Sequence, residues 1–400
     1  MTNLHKYRRA ATGRRKLAVA SSLLFLSVPL ATTAASVEMG DPIQGQVLFA
    51  AKSCVSCHAV RGAGGRIGPD LGRTAAKGSF FEIAADLWNH SVGMNEKIEE
   101  LRMVRPSFTA DELKDLITFV YFLNYFDEPG DPRYGRVLFT EKHCIQCHRA
   151  GGEGGTAGPS LEELPRGISP LRLAEGLWNH GSAMLESMRR RGLDLPQFHN
   201  TEIIDIFAYI RSQGQGRVTR EFESPGDPGR GERAFKAKGC THCHDVFGDD
   251  SNIGADLGRV ELHGSVTQIA GRMWNHWPAM ASAMEALDLQ LPTFREGELA
   301  DLLAYVYVSR YRGAGGDPLR GGAVYGDLGC AFCHGLEGEG TLGPPLNQVT
   351  PTAGAEQIIQ GMWNHAPEMW EEMGAHQMPW PRFDAQELTD LLSFLVSAWQ

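Results

Sequence analysis

Eight cysteines are present, and all eight fall in four copies of one pattern, Cys-x-x-Cys-His. The copies are Cys54–Cys57–His58, Cys144–Cys147–His148, Cys240–Cys243–His244 and Cys330–Cys333–His334. At this spacing two thiols can bond to the two vinyl groups of one haem, and the adjacent histidine can ligate its iron. A zinc site would need further soft ligands, and no ninth cysteine exists. A redox dithiol needs neither a histidine directly after it nor fourfold recurrence. Four covalently attached haem c groups are expected, with His58, His148, His244 and His334 as proximal iron ligands.

A second pattern recurs between these motifs: Trp-Asn-His-x-x-x-Met. It stands at Trp88-Asn89-His90…Met94, Trp178-Asn179-His180…Met184, Trp274-Asn275-His276…Met280 and Trp363-Asn364-His365…Met369. Another methionine follows four residues later in three copies (Met188, Met284, Met373), whereas Ile98 stands there in the first. On a helix these positions share one face. Histidine and methionine are both axial ligands of haem iron. The second methionine is excluded as a common ligand because Ile98 replaces it.

The elements that must position these residues are repeated too. The Cys-x-x-Cys-His motifs begin 90, 96 and 90 residues apart. Each repeat opens on Gly-Asp-Pro, at Gly40, Gly130, Gly226 and Gly316. The aspartate suits a helix N-cap and the proline a first turn. A glycine and an aromatic follow, four residues apart: Gly45/Phe49, Gly135/Phe139, Gly231/Phe235 and Gly321/Tyr325. That glycine permits close approach of another backbone, and the aromatic is expected beside the haem. Each repeat closes on an amphipathic helix, for example Leu113, Leu116, Ile117, Val120 and Tyr121. Thr109…Glu112 and Asp384…Glu387 have the form of capping boxes. The apolar stripe reads as core, packing the last helix on the first. A glycine-rich loop after each haem motif carries Gly68-Pro69, Gly158-Pro159 and Gly343-Pro344, but Gly254-Ala255 in the third repeat.

With these features the chain resembles the class I c-type cytochrome family, as a tandem array of four monohaem domains over residues 40–400. The resemblance implies an all-α fold wrapped around one haem per unit. It implies that the loop carbonyl of Pro69, Pro159 and Pro344 holds the proximal ring N–H, and that of Ala255 if the backbone path is kept. Many members supply a distal methionine just before a Pro-x-aromatic stretch. Here Arg105, Leu195, Leu291 and Trp380 precede Pro106-x-Phe108, Pro196-x-Phe198, Pro292-x-Phe294 and Pro381-x-Phe383, and none is a ligand type to expect. The distal ligand is therefore sought in the tryptophan signature. His/Met ligation in cytochromes c favours Met94, Met184, Met280 and Met369; His90, His180, His276 and His365 are the alternative. Similarity to short bacterial members places the indoles of Trp88, Trp178, Trp274 and Trp363 on haem propionates.

Residues 1–35 hold six basic and no acidic side chains, with an uncharged stretch from Leu17 ending in small residues. This reads as a signal peptide, hence export to the periplasm or the outer face of the cytoplasmic membrane. Membrane association is expected only if that segment stays uncleaved. The domains are expected at 36–128, 129–224, 225–314 and 315–400. The body has 32 basic against 48 acidic residues, which argues against nucleic acid as a partner. The partners expected are redox proteins, a donor and an acceptor, that are basic or dock on an apolar haem edge. The chain reads as an electron carrier with no catalytic residues. The alternatives are a haem catalyst or sensor with one open coordination site, or the cytochrome subunit of a larger dehydrogenase.

Overall fold

The computed structural model describes residues 37–73, 78–165, 167–216, 226–248, 253–260, 264–349 and 352–399. The expected signal peptide lies outside the described residues. The same set of elements occurs four times. The first helix of each repeat is α1 (Pro42–Ala51), α4 (Pro132–Glu141), α7 (Pro228–Ala237) or α10 (Pro318–Asp327). Cys330–His334 forms a short helix of its own, α11, where the other three haem motifs begin as 3-10 turns. A 21-residue middle helix follows: α2 (Phe80–Glu100), α5 (Pro170–Arg190), α8 (Val266–Ala286) and α12 (Ala355–Ala375). The closing helices are α3 (Ala110–Phe122), α6 (Glu202–Gln213), α9 (Glu298–Arg312) and α13 (Ala385–Ser397). Strand is confined among the described residues to two antiparallel two-residue pairs, β1–β2 (Ala59–Val60, Ala63–Gly64) and β3–β4 (Arg149–Ala150, Glu153–Gly154). The fold is all-α, as expected.

The local reasons are those legible in the sequence. The carboxylates of Asp41, Asp131, Asp227 and Asp317 accept from backbone N–H groups at the start of each first helix, and proline occupies its first turn. Thr109/Glu112 and Asp384/Glu387 close both bonds of the capping box. Ser79/Glu82 and Ser265/Gln268 do the same at α2 and α8. The first and closing helices of each repeat cross at the recurring glycine. A Cβ added at Gly45, Gly135, Gly231 or Gly321 would overlap the carbonyl of Asp115, Asp205, Asp301 or Asp390. The aromatic one turn on packs beside the crossing, Phe49 on Phe119, Phe139 on Tyr209, Phe235 on Tyr305 and Tyr325 on Phe394, with ring centres 5.4–5.6 Å apart.

The closing-helix stripe is more than the core of its own repeat. The stripe was expected to pack the last helix on the first, but Asp115 and Phe119 make that contact, against Gly45 and Phe49. Leu116, Ile117 and Val120 line a cavity with His58 and His90. Tyr121 and Tyr307, at the end of the stripe, instead meet each other across repeats 1 and 3. Each hydroxyl donates to the other's backbone carbonyl, at 2.6 and 2.9 Å. Tyr125 and Tyr311 pack on this pair, and Tyr311 bonds Thr118 across the same seam. Chain neighbours are thus not the only spatial neighbours.

Candidate functional site

Each proximal histidine stands on the turn that the two cysteines begin. The residue before the first cysteine takes the left-handed conformation, as Ser53, His143, Gly239 or Gly329, and reverses the chain out of the first helix. The Nδ1 atom of His58 lies 3.1 Å from the Pro69 carbonyl oxygen, and that of His148 2.9 Å from Pro159. His244 lies 2.9 Å from Ala255 and His334 2.9 Å from Pro344. The third repeat therefore keeps the backbone path although alanine replaces proline. This contact sets the tautomer and leaves Nε2 free to ligate. Glycine precedes each loop carbonyl residue for a steric reason: a Cβ at Gly68, Gly158, Gly254 or Gly343 would overlap the imidazole.

The middle helix covers the opposite side. His90, Met94 and Ile98 line a cavity of about 320 Å³ together with Cys54, Cys57 and His58. His365, Met369 and Met373 line the corresponding space in repeat 4 with Cys330, Cys333 and His334. The expected shared helix face is thus present. Within it, the signature histidine is the ring that faces the proximal one. Ring centres are 6.3 Å apart for His58 and His90, 6.0 Å for His148 and His180, and 6.3 Å for His244 and His276. Two imidazoles on opposite sides of one metal, each with a bond of about 2 Å, have centres about 6 Å apart. Burial, and then the facing proximal ring, holds His90, His180 and His276 below the ordinary histidine pKa. Neutral imidazole is the ligating form. Met94 and Met369 line the same cavities, one turn along from His90 and His365.

The tryptophans require a correction. Their indole N–H groups were expected on haem propionates, yet each donates at 2.8 Å to a proline carbonyl of another repeat. Trp88 bonds Pro381 and Trp363 bonds Pro106; Trp178 bonds Pro292 and Trp274 bonds Pro196. An indole has one donor, and here it is used. The neighbouring asparagine completes a clasp. Asn89 donates to the Phe383 carbonyl and accepts from its N–H, at 2.8 and 3.0 Å. Asn364 does the same with Phe108, Asn179 with Phe294 and Asn275 with Phe198. Repeats 1 and 4, and repeats 2 and 3, therefore grip each other reciprocally. The residues before the Pro-x-Phe stretches cover the partner indole in the first pair: Trp380 stacks on Trp88 at 4.5 Å, and the Arg105 guanidinium lies 4.0 Å from the Trp363 ring centre. Trp88 and Trp363 also line the cavity of the repeat they clasp. The recurrence of Trp-Asn and Pro-x-Phe in every repeat was the available sign, but sequence alone gives no partner for it.

The cytochrome c family model matches residues 43–123, 133–214 and 319–399. The chain belongs to the cytochrome c family. A cytochrome c-553-like protein of Synechocystis sp. (strain ATCC 27184 / PCC 6803 / Kazusa) is 32% identical over 91 residues, which make up 22% of this chain and 76% of that relative. No solved structure matches. The third repeat of this cytochrome lies outside the matched segments, yet has the same helices and the same histidine–carbonyl contact. The cytochrome binds haem c covalently and transfers electrons. The residues present fit that group: a cysteine pair at the cavity wall, a held proximal ring, and an opposed imidazole at single-metal spacing. Among the described residues no helix is long and apolar enough to cross a membrane.

Proposed function

We propose that this cytochrome is an exported electron carrier holding four haem c groups, one per repeat. Each iron would lie between a haem-motif histidine (His58, His148, His244, His334) and a signature histidine (His90, His180, His276, His365). The opposed imidazole pairs carry this reading. Held between two histidines of the chain, the group would have no site left for an external ligand, which suits electron exchange over ligand chemistry. The iron supplies the one-electron step. The protein's residues do the rest: cysteine thioethers retain the group, the loop carbonyls fix the proximal rings, and the middle helix excludes water from the distal face. The methionines one turn on then pack against the ring system, where a polarisable thioether suits an irregular apolar wall.

The domain limits 36–128, 129–224, 225–314 and 315–400, and residues 1–35 as signal peptide, belong to the same proposal. Export is supported by the basic start and uncharged stretch of that segment, and by a cofactor attached covalently. The donor and acceptor are redox proteins.

Haem content per chain, measured by pyridine haemochrome against protein mass, tests the count; four is expected. Near-infrared magnetic circular dichroism of the oxidised protein tests the ligands. Bands of bis-histidine iron without a methionine–iron band are expected, and carbon monoxide should leave the reduced spectrum unchanged. A methionine–iron band from all four haems would sink the ligand set. A carbon monoxide shift of one quarter of the haem would return the sensor or catalyst reading.

A further inference from the structure

We infer that the haem-motif edge of repeat 4 is the docking surface for a basic redox protein. This rests on the electron-carrier reading and deepens it by locating a partner. The clasps and the tyrosine seam link the repeats in the order 4–1–3–2, with repeat 4 at one end. Charge is not shared evenly along that order. Residues 315–400 carry eleven acidic side chains against two arginines, whereas residues 129–224 carry twelve of each sign.

The excess is gathered at the haem motif. Glu368 and Glu372 line the same cavity as Cys333, His334 and Leu342. Glu371, on the same helix, is exposed, as are Glu337 and Glu339 a few residues after the motif. At the positions of Glu368, Glu371 and Glu372, repeat 1 has Gly93, Glu96 and Lys97; repeat 2 has Ala183, Glu186 and Ser187; repeat 3 has Ala279, Ser282 and Ala283. Two residues before the first cysteine, Lys52, Lys142 and Lys238 give way to Leu328. Repeat 4 thus adds carboxylates and removes a cation at one edge.

That edge also has an apolar centre. Phe332, inside the haem motif, is 54% exposed, Leu336 81% and Leu342 54%. The positions of Phe332 in the other repeats hold Ser56, Gln146 and His242. The loop is folded back on the motif, with Thr341 Oγ1 donating to the carbonyls of Phe332 and Cys333 and the Gly343 N–H to that of Cys333. An apolar centre with a charged rim is the anatomy of a protein interface. A rim of one sign selects a partner of the other and steers its approach. The occupant is therefore a redox protein with lysines around its own cofactor edge.

The test uses the haem-loaded full chain and a lysine-rich monohaem cytochrome c as probe. Affinity is read by calorimetry with both proteins oxidised, so that no electron moves, at low and high salt. Electron transfer from the reduced probe is then followed by stopped flow. Glu368→Lys/Glu371→Lys/Glu372→Lys should weaken binding and slow the second-order rate at least tenfold at low salt, and flatten the salt dependence. Arg189→Glu/Arg190→Glu/Arg191→Glu in repeat 2 should not lower either quantity. Unchanged binding in the repeat 4 variant, or a loss only in the repeat 2 variant, overturns the assignment. Dithionite reduction of all haems in each variant reports separately on the electron-carrier reading. If that fails in the unmodified chain, the carrier reading fails and the docking result stands apart from it.

Discussion

The indole N–H of Trp88 donates to the carbonyl of Pro381, 293 residues further along the chain. The bond is buried, and Trp363 returns it to Pro106. The pair makes the first and last repeats one unit. A signature expected to serve the haem is in part an interface between repeats.

Breaking the clasp should therefore loosen a repeat remote in sequence. Asn89→Ala leaves the carbonyl and N–H of Phe383 without their partner, at an expected loss of about 1–3 kcal/mol for each buried group. Hydrogen exchange checks it: the Phe383 amide should exchange faster, while that of Phe294, held by Asn179, should not change.

The helix-crossing glycines should tolerate no side chain. Gly135→Ala drives a Cβ into the Asp205 carbonyl. The expected cost is about 1–3 kcal/mol, read as a lower urea midpoint with unchanged haem spectrum. Gly176, which meets nothing within 4 Å, is the control.

The two distal candidates separate under substitution. With histidine as the ligand, His365→Ala should open one quarter of the haem to carbon monoxide in the reduced spectrum. Met369→Ala should leave every haem six-coordinate. The reverse outcome would restore the methionine.

The tyrosine seam should give an alkaline limit to stability. Burial raises the pKa of Tyr121 and Tyr307 above the ordinary tyrosine value. In the unfolded chain both ionise near pH 10, while the folded chain holds the protons longer. The unfolded state then binds fewer protons, so stability is full below pH 10 and falls as pH rises above it. The thermal midpoint should drop between pH 9 and 11. The drop should be smaller in Tyr121→Phe/Tyr307→Phe, whose own midpoint at pH 8 is lower because two buried carbonyls lose their donors.

The sequence by itself determined the units. Cysteine pairs, capping aspartates, crossing glycines and the period-3.6 stripes act over a few turns of chain, and each is a local rule with a local outcome. The helices and their caps were legible for that reason, whereas the all-α fold and the carbonyls beside the motif histidines were expected from the resemblance to the cytochrome family. Only the tertiary structure decided how the units meet. Trp-Asn and Pro-x-Phe recur in all four repeats, so their chemistry says that a clasp can form but not between which copies. The choice of 1 with 4 and 2 with 3 depends on how whole helices pack, including Tyr121 against Tyr307. The distal face followed the same division. Helical spacing brought histidine and methionine to one side, and the middle helix, once packed, turned the imidazole toward its partner across the cavity.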